Sequence, residues 1–240
     1  MSIQVIGPAL SDLDLTRYVN FSDDFYGGSI ENGEIGQMGW KTVGSGSVIN
    51  AIVPSAHGLH NGVRTLRAAA GGGVASLALF ENLKGRYPTD FPIGSTMRVR
   101  WDFEQITACA FWAGMTNSAA VTPLEANDVG FLGFRFEISV GASIQFIAKD
   151  GADSGNEDSV NIVVAEADTF VTVEATRLTV DSYRVTSGGS VKGTLTGVTN
   201  FPPTANNVEH TIGAHGTAAA SSDVDMIVDF YQSFAPIDRR

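Results

Sequence analysis

Residues 21–40 read FSDDFYGGSIENGEIGQMGW. Large apolar groups (Phe21, Phe25, Tyr26 and Trp40, with Tyr18 just upstream) are set among glycine-rich turns and a cluster of acids. That pattern predicts one strand laid down before the chain reverses, the opening of a β-sandwich. Asp225 to Phe234, a second acidic and aromatic run, is its expected partner, so that the domain closes by pairing its own two ends.

The rest of the chain supports an all-β reading. In Thr96–Phe103 the side chains of Met97, Val99, Trp101 and Phe103 point one way, with Arg98, Arg100 and Asp102 on the other face. Cys109–Met115 is apolar at nearly every position, as in a strand covered on both faces. Phe134, Phe136, Ile138 and Val140 are the expected inward set of a hairpin that turns at Gly141-Ala142 and returns through Ile144, Phe146 and Ala148. Lys149–Ser159 reads as a solvated acidic loop. Val171, Val173 and Ala175 form another inward set. Ser187-Gly188-Gly189-Ser190 predicts a tight hairpin turn. Met226, Val228 and Phe230 share one face of the last strand. No amphipathic helix of ordinary length is evident. The expected architecture is a two-sheet antiparallel sandwich or barrel: an arm at 1–20 with a short helical turn at Ser11–Leu15, one domain at 21–236, and a tail at 237–240.

Composition sets limits on function. The chain has 240 residues, 43% hydrophobic, with 26 acids against 15 bases and a formal net charge of -11. That balance argues against nucleic acid and against an anionic membrane surface, both of which need a cationic face. Met1–Ile6 has no basic region, and Gly7-Pro8 interrupts it, so no signal peptide is expected. The single cysteine, Cys109, excludes an intrachain disulfide and is expected to act as a small buried hydrophobe.

Few residues suggest chemistry. His57 and His60 in HGLH lack partners for zinc. No Glu-x-Asp-x-x-Glu run, the usual mark of laminarinase-like sandwich enzymes, is present. The nearest pairs are Asp102 with Glu104 and Asp225 with Asp229, expected as solvated outward-facing acids. Calcium is the one ion to weigh, with Asp23, Asp24, Asp150 and Asp153 as candidate ligands; no other cofactor is expected. Exposed aromatics for sugar stacking would be Tyr26, Tyr87 and Trp112, of which Trp112 reads as core.

The order of DDFYGG (23–28), GQMGWK (36–41), GVRTLRAAAGGG (62–73), FRFEI (134–138), TFVTVEAT (169–176), SYRVTSGGSV (182–191), FPP (201–203) and VDMIVDFYQSF (224–234) resembles the concanavalin A-like (laminin G-like) jelly roll of structural proteins in tailed-phage virions. The resemblance implies a jelly roll with adjacent first and last strands. It implies a non-enzymatic virion role, as a capsid decoration or accessory protein on the head or a fibre component, assembled in the host bacterial cytoplasm. Implied partners are the major capsid protein or a tail or fibre protein, with a homo-oligomer, such as a trimer, as the expected state. The alternatives are a carbohydrate-binding or host-adhesin domain and, behind it, a glycosidase with two carboxylates across a groove.

Overall fold

The computed structural model describes residues 18–23, 25, 34–35, 40–43, 48–50, 64–78, 91–116, 124, 129–151, 157–198 and 209–236. The helical turn expected at 11–15 and most of the arm lie outside these residues. Two antiparallel sheets stack face to face. The first runs, in spatial order, through β14 (Ser190–Leu195), β13 (Ser182–Ser187), β12 (Val171–Thr179), β7 (Thr96–Phe103), β16 (Val224–Pro236), β5 (Arg64–Ala68) and β4 (Val48–Asn50), with β1 (Tyr18–Asp23) also on β16. The second is β11 (Glu157–Val164), β10 (Gly141–Lys149), β9 (Phe131–Glu137), β8 (Cys109–Thr116), β15 (Glu209–Gly216), β6 (Val74–Ala78), β3 (Trp40–Val43) and β2 (Glu34–Ile35). We call them sheets A and B. This is the expected jelly-roll sandwich. Among the described residues no helix is long and apolar enough to cross a membrane.

The core follows from strand alternation. Met97, Val99, Trp101 and Phe103 are all fully buried, and β8 is buried along its whole length, as expected. Phe103 of sheet A stacks on Phe111 of sheet B at 4.4 Å and 7°, and Phe136 lies 5.6 Å from Phe103. Trp101, Phe134, Phe146 and Tyr183 extend this ring-to-ring contact along the interior. The two ends of the domain do pair, with Phe21 opposite Ser233 and Asp23 opposite Tyr231. Strand β1 takes in Tyr18–Asn20, three residues inside the expected arm. The hairpin of β13 and β14 turns through Gly188 and Gly189, whose φ values of 55° and 79° suit glycine.

Three expectations need correction. Strand β9 ends at Glu137 and turns through residues 138–140, so Val140 is 54% exposed and Gly141 already belongs to β10. The acidic stretch 149–159 is not simply a loop: Lys149 closes β10, is 4% exposed, and pairs with Glu157, which opens β11. On β16 the register shifts between Val228 and Phe230, a bulge that leaves Asp229 over. The inward set therefore becomes Met226, Val228, Tyr231 and Ala235. Phe230 is displaced to the other face, where the guanidinium of Arg98 lies 5.2 Å from its ring centre.

Removing a ring from the stack should be costly. Phe103→Ala is expected to lower stability by about 3–5 kcal/mol. Val191→Ala, at a position 62% exposed, should change it by less than about 0.5 kcal/mol. Urea unfolding followed by circular dichroism compares the two.

Candidate functional site

The outward-facing positions of sheet B form the best organised surface outside the core. Because β8, β9, β10 and β15 alternate, Trp112, Gly114 and Thr116, then Phe131, Gly133, Arg135 and Glu137, share one face with Gln145, Ile147, Thr211 and Gly213. Pairing sets them in cross-strand rows. One row runs Gly213, Trp112, Arg135, Gln145, Asn161; the next runs Thr211, Gly114, Gly133, Ile147, Ser159.

The centre of this face is a bed of glycine carrying aromatic rings. A Cβ on Gly114 would stand 2.4 Å from the Leu132 carbonyl oxygen and 2.7 Å from the Gly133 Cα. One on Gly133 would meet the Ala113 carbonyl at 2.4 Å, and both would crowd the tip of the Phe131 ring at 2.9–3.0 Å. At Gly213 the added atom would lie 2.1 Å from the Trp112 indole. The indole Nε1 donates to the Thr211 hydroxyl at 3.2 Å, which fixes the ring on its bed. Trp112, Phe131 and Ile147 are fully buried and form a cluster of their own, with Val74 and Leu124 packed against it. Trp112 is thus buried, as expected, but in this second cluster and not in the sandwich interior.

A polar network flanks the rings. Arg135, 5% exposed, donates from Nη1 and Nη2 to both carboxylate oxygens of Glu157 at 2.7 and 2.6 Å. It also donates from Nη2 and Nε to Gln145 Oε1 at 2.6 and 3.2 Å, and Gln145 Nε2 passes a bond to Asn161 Oδ1 at 2.9 Å. Glu137 lies 4.0 Å from the same guanidinium and accepts the Ser139 hydroxyl at 2.6 Å. A buried cation is tolerable only when its donors are met, and this network meets them. Both oxygens of Glu157 are therefore engaged by protein donors.

The acid pairs singled out in the sequence lie on or just beyond sheet A, and Asp102, Asp225 and Asp229 are buried or half-buried, which corrects the expectation of solvated acids for those three. Asp225 is 4% exposed; Arg67 Nε donates to its Oδ1 at 2.8 Å, and Nη2 to its Oδ2 at 2.5 Å. Asp102 is 1% exposed and its Oδ1 accepts the Phe103 N–H at 2.7 Å. Asp229 pairs with Arg100, whose guanidinium also lies 4.7 Å from the Phe170 ring centre. Glu104 is exposed, and its carboxyl is raised above the usual range, first by partial burial and then by the Asp225 charge beside it. Asp225 and Asp229 each pair with an arginine of a neighbouring strand, and Asp102 accepts a backbone N–H.

The remaining candidates divide by position. Asp24, Tyr26, His57, His60, Tyr87 and Asp153 lie outside the described residues, as does the side chain of Asp23, whose backbone pairs in β1. Asp150 is half-buried just after β10. Among the described residues no group of three His, Cys, Asp or Glu side chains is arranged to hold a metal ion. Cys109 is buried and free, and burial pushes its thiol up to about 12, as suits a small hydrophobe.

No protein-family model and no curated protein sequence matches the chain. Solved structures do match in fold. A protein of unknown function from Shewanella oneidensis MR-1 superposes with a TM-score of 0.63 at 12% identity, covering 100% of this chain and 98% of that one. A prokaryotic β-1,3-1,4-glucanase (lichenase) from a mouse hindgut metagenome gives 0.57 at 12% identity, with 91% and 99% covered. A pseudo β-1,3-glucanase of Mycobacterium tuberculosis gives 0.57 at 12% identity, with 90% and 98% covered. The virion reading is corrected by these neighbours: those described by an activity are a glucanase and a pseudo-glucanase, and none is described as part of a phage particle. What the chain shares with them is the concanavalin A-like jelly-roll sandwich of the glycosyl hydrolase family 16 type.

Proposed function

We propose that this protein is not a hydrolase: it has a glucanase-type sandwich but does not cleave glycosidic bonds. One observation carries the reading. The middle of the outer face of sheet B is a second small core, with Trp112, Phe131 and Ile147 packed over Gly114, Gly133 and Gly213. Glycosidases of either stereochemistry need two carboxyl groups presented to the substrate, about 5–10 Å apart. Among the side chains described, the carboxylates on that face are Glu137 and Glu157, which stand at the flank around Arg135, with both oxygens of Glu157 occupied. The rings leave the bed itself no room for a sugar. A surface so filled supports a stable scaffold rather than a reaction site.

Two measurements bear on this reading. Purified protein incubated with β-1,3-glucan and with mixed-linkage β-1,3-1,4-glucan should release no more reducing ends than buffer does. Release that disappears in Glu137→Gln or Glu157→Gln would overturn the proposal. The bed should also behave as core. Gly213→Ala, forced against the indole of Trp112, is expected to cost about 1–3 kcal/mol in chemical denaturation. A neutral result would mean that Trp112 swings away freely and that the face is open.

A further inference from the structure

Strand pairing aligns Arg67 of β5, Asp225 of β16 and Glu104, which directly follows β7, in one cross-strand row on the outer side of sheet A. Met226 faces Phe103 and Ile227 faces Asp102, so the same register sets Asp225 opposite Glu104. The Glu104 N–H donates to the Asp225 carbonyl oxygen at 3.2 Å, which carries that register one residue past the strand. Side chains directly opposite in an antiparallel pair share a face, with Cβ atoms about 4.5–5.5 Å apart, and like charges there are destabilising. The row thus sets two carboxyl groups against one guanidinium. Arg67 is committed to Asp225, with Nε on Oδ1 at 2.8 Å and Nη2 on Oδ2 at 2.5 Å. Each oxygen of that carboxylate still has a lone pair to offer. Asp225 is 4% exposed, so water screens its charge from Glu104 poorly.

We propose that Glu104 and Asp225 share one proton, carried by Glu104 and bonded to the Asp225 carboxylate, so that this row holds β7 to β16 more firmly in mild acid than at neutral pH. The charged groups that meet the Glu104 carboxyl come from three elements. β16 brings Asp225, β5 brings Arg67, and the connection from β11 to β12 brings Asp168, whose N–H donates to the Phe103 carbonyl at 2.9 Å. Asp223 acts on the same row through Arg67, and its Oδ1 accepts the Ala70 N–H at 3.2 Å. Partial burial raises the Glu104 carboxyl above its ordinary 4.5; the Asp225 charge and a hydrogen bond to that carboxylate raise it further. Arg67 opposes the rise, Asp168 adds a little to it, and the net direction is upward. Between 4.5 and the raised value the folded protein holds a proton that the unfolded chain releases. The resulting stabilisation is complete below 4.5 and is lost as pH climbs through the raised value.

Urea unfolding of the unmodified protein and of Glu104→Gln, at fixed salt from about pH 4.5 to 8, tests the shared proton. The glutamine amide keeps a donor for Asp225 without the titration, and position 104 is exposed, so the substitution disturbs no packing. The two proteins should be similarly stable at the acid end. As pH rises, the folding equilibrium constant of the unmodified protein should fall relative to the variant, by up to about tenfold per pH unit, and then level off. The carboxyl carbon resonance of Glu104 in the folded protein should titrate above 4.5, and each unit of that shift should correspond to about a tenfold plateau between the two proteins. A stability ratio that stays constant with pH, or a Glu104 midpoint at or below 4.5, would overturn the proposal. Should the variant fail to fold, the Glu104 resonance in the unmodified protein decides alone.

Discussion

Aromatic contact between the sheets is the interaction on which the rest of the structure depends. Phe103, Phe111 and Phe136 stack in near-parallel planes, and Trp101, Phe134, Phe146 and Tyr183 continue the contact across both sheets. Rings of this size bury on the order of 150–250 Å² each and prefer offset or edge-on partners, so they fix spacing as well as supply driving force. With the sheets held at that spacing, each strand has one face committed to the interior. What remains is the arrangement of the outer faces, and there the chain makes its less ordinary choices.

Sheet B uses glycine on its outer face where other strands carry polar groups. At Gly114 and Gly133 neighbouring backbones come so close that no side chain fits, and Phe131 and Trp112 lie over the space. The result is a third apolar layer on one side, bordered by the Arg135 network. Sheet A instead covers its outer face with ion pairs and guanidinium–ring contacts, among them Arg67 with Asp225 and Arg98 over Phe230. Such contacts are worth more when partly shielded from water than at an open surface. They account for how strand acids come to be buried at all.

How much of this was legible in the sequence depended on range. Period-two alternation reveals Thr96–Phe103 and Phe134–Phe136, and paired glycines reveal the turn at 188–189, because these signals are local. The bulge at Asp229 is invisible to alternation: it moves Phe230 outward and Tyr231 inward, reversing the last stretch of the strand. The burial of Asp225 was equally hidden, since its counter-ion Arg67 lies 158 residues away in sequence. Trp112 could be read as buried but not as belonging to a separate cluster, because a strand apolar on both faces does not say which face meets which layer. The glycines at 114, 133 and 213 were the available clue, and only strand pairing brings them side by side.

Strand β16 carries a consequence for how the protein is made. It is the last of the described strands in sequence yet lies inside sheet A, bonded to β7 on one side and to β5 and β1 on the other. During synthesis, β1 and β5 must wait unpaired on that side while the intervening chain is translated; the Ser22–Gln232 bond alone spans 210 residues. Contacts of such long range slow folding toward the millisecond-to-second regime. For that interval sheet A has an open gap lined by unsatisfied backbone groups, a template for the wrong chain. The nascent domain is thus most exposed to misassociation just before β16 leaves the ribosome, and a chaperone would be most useful at that moment.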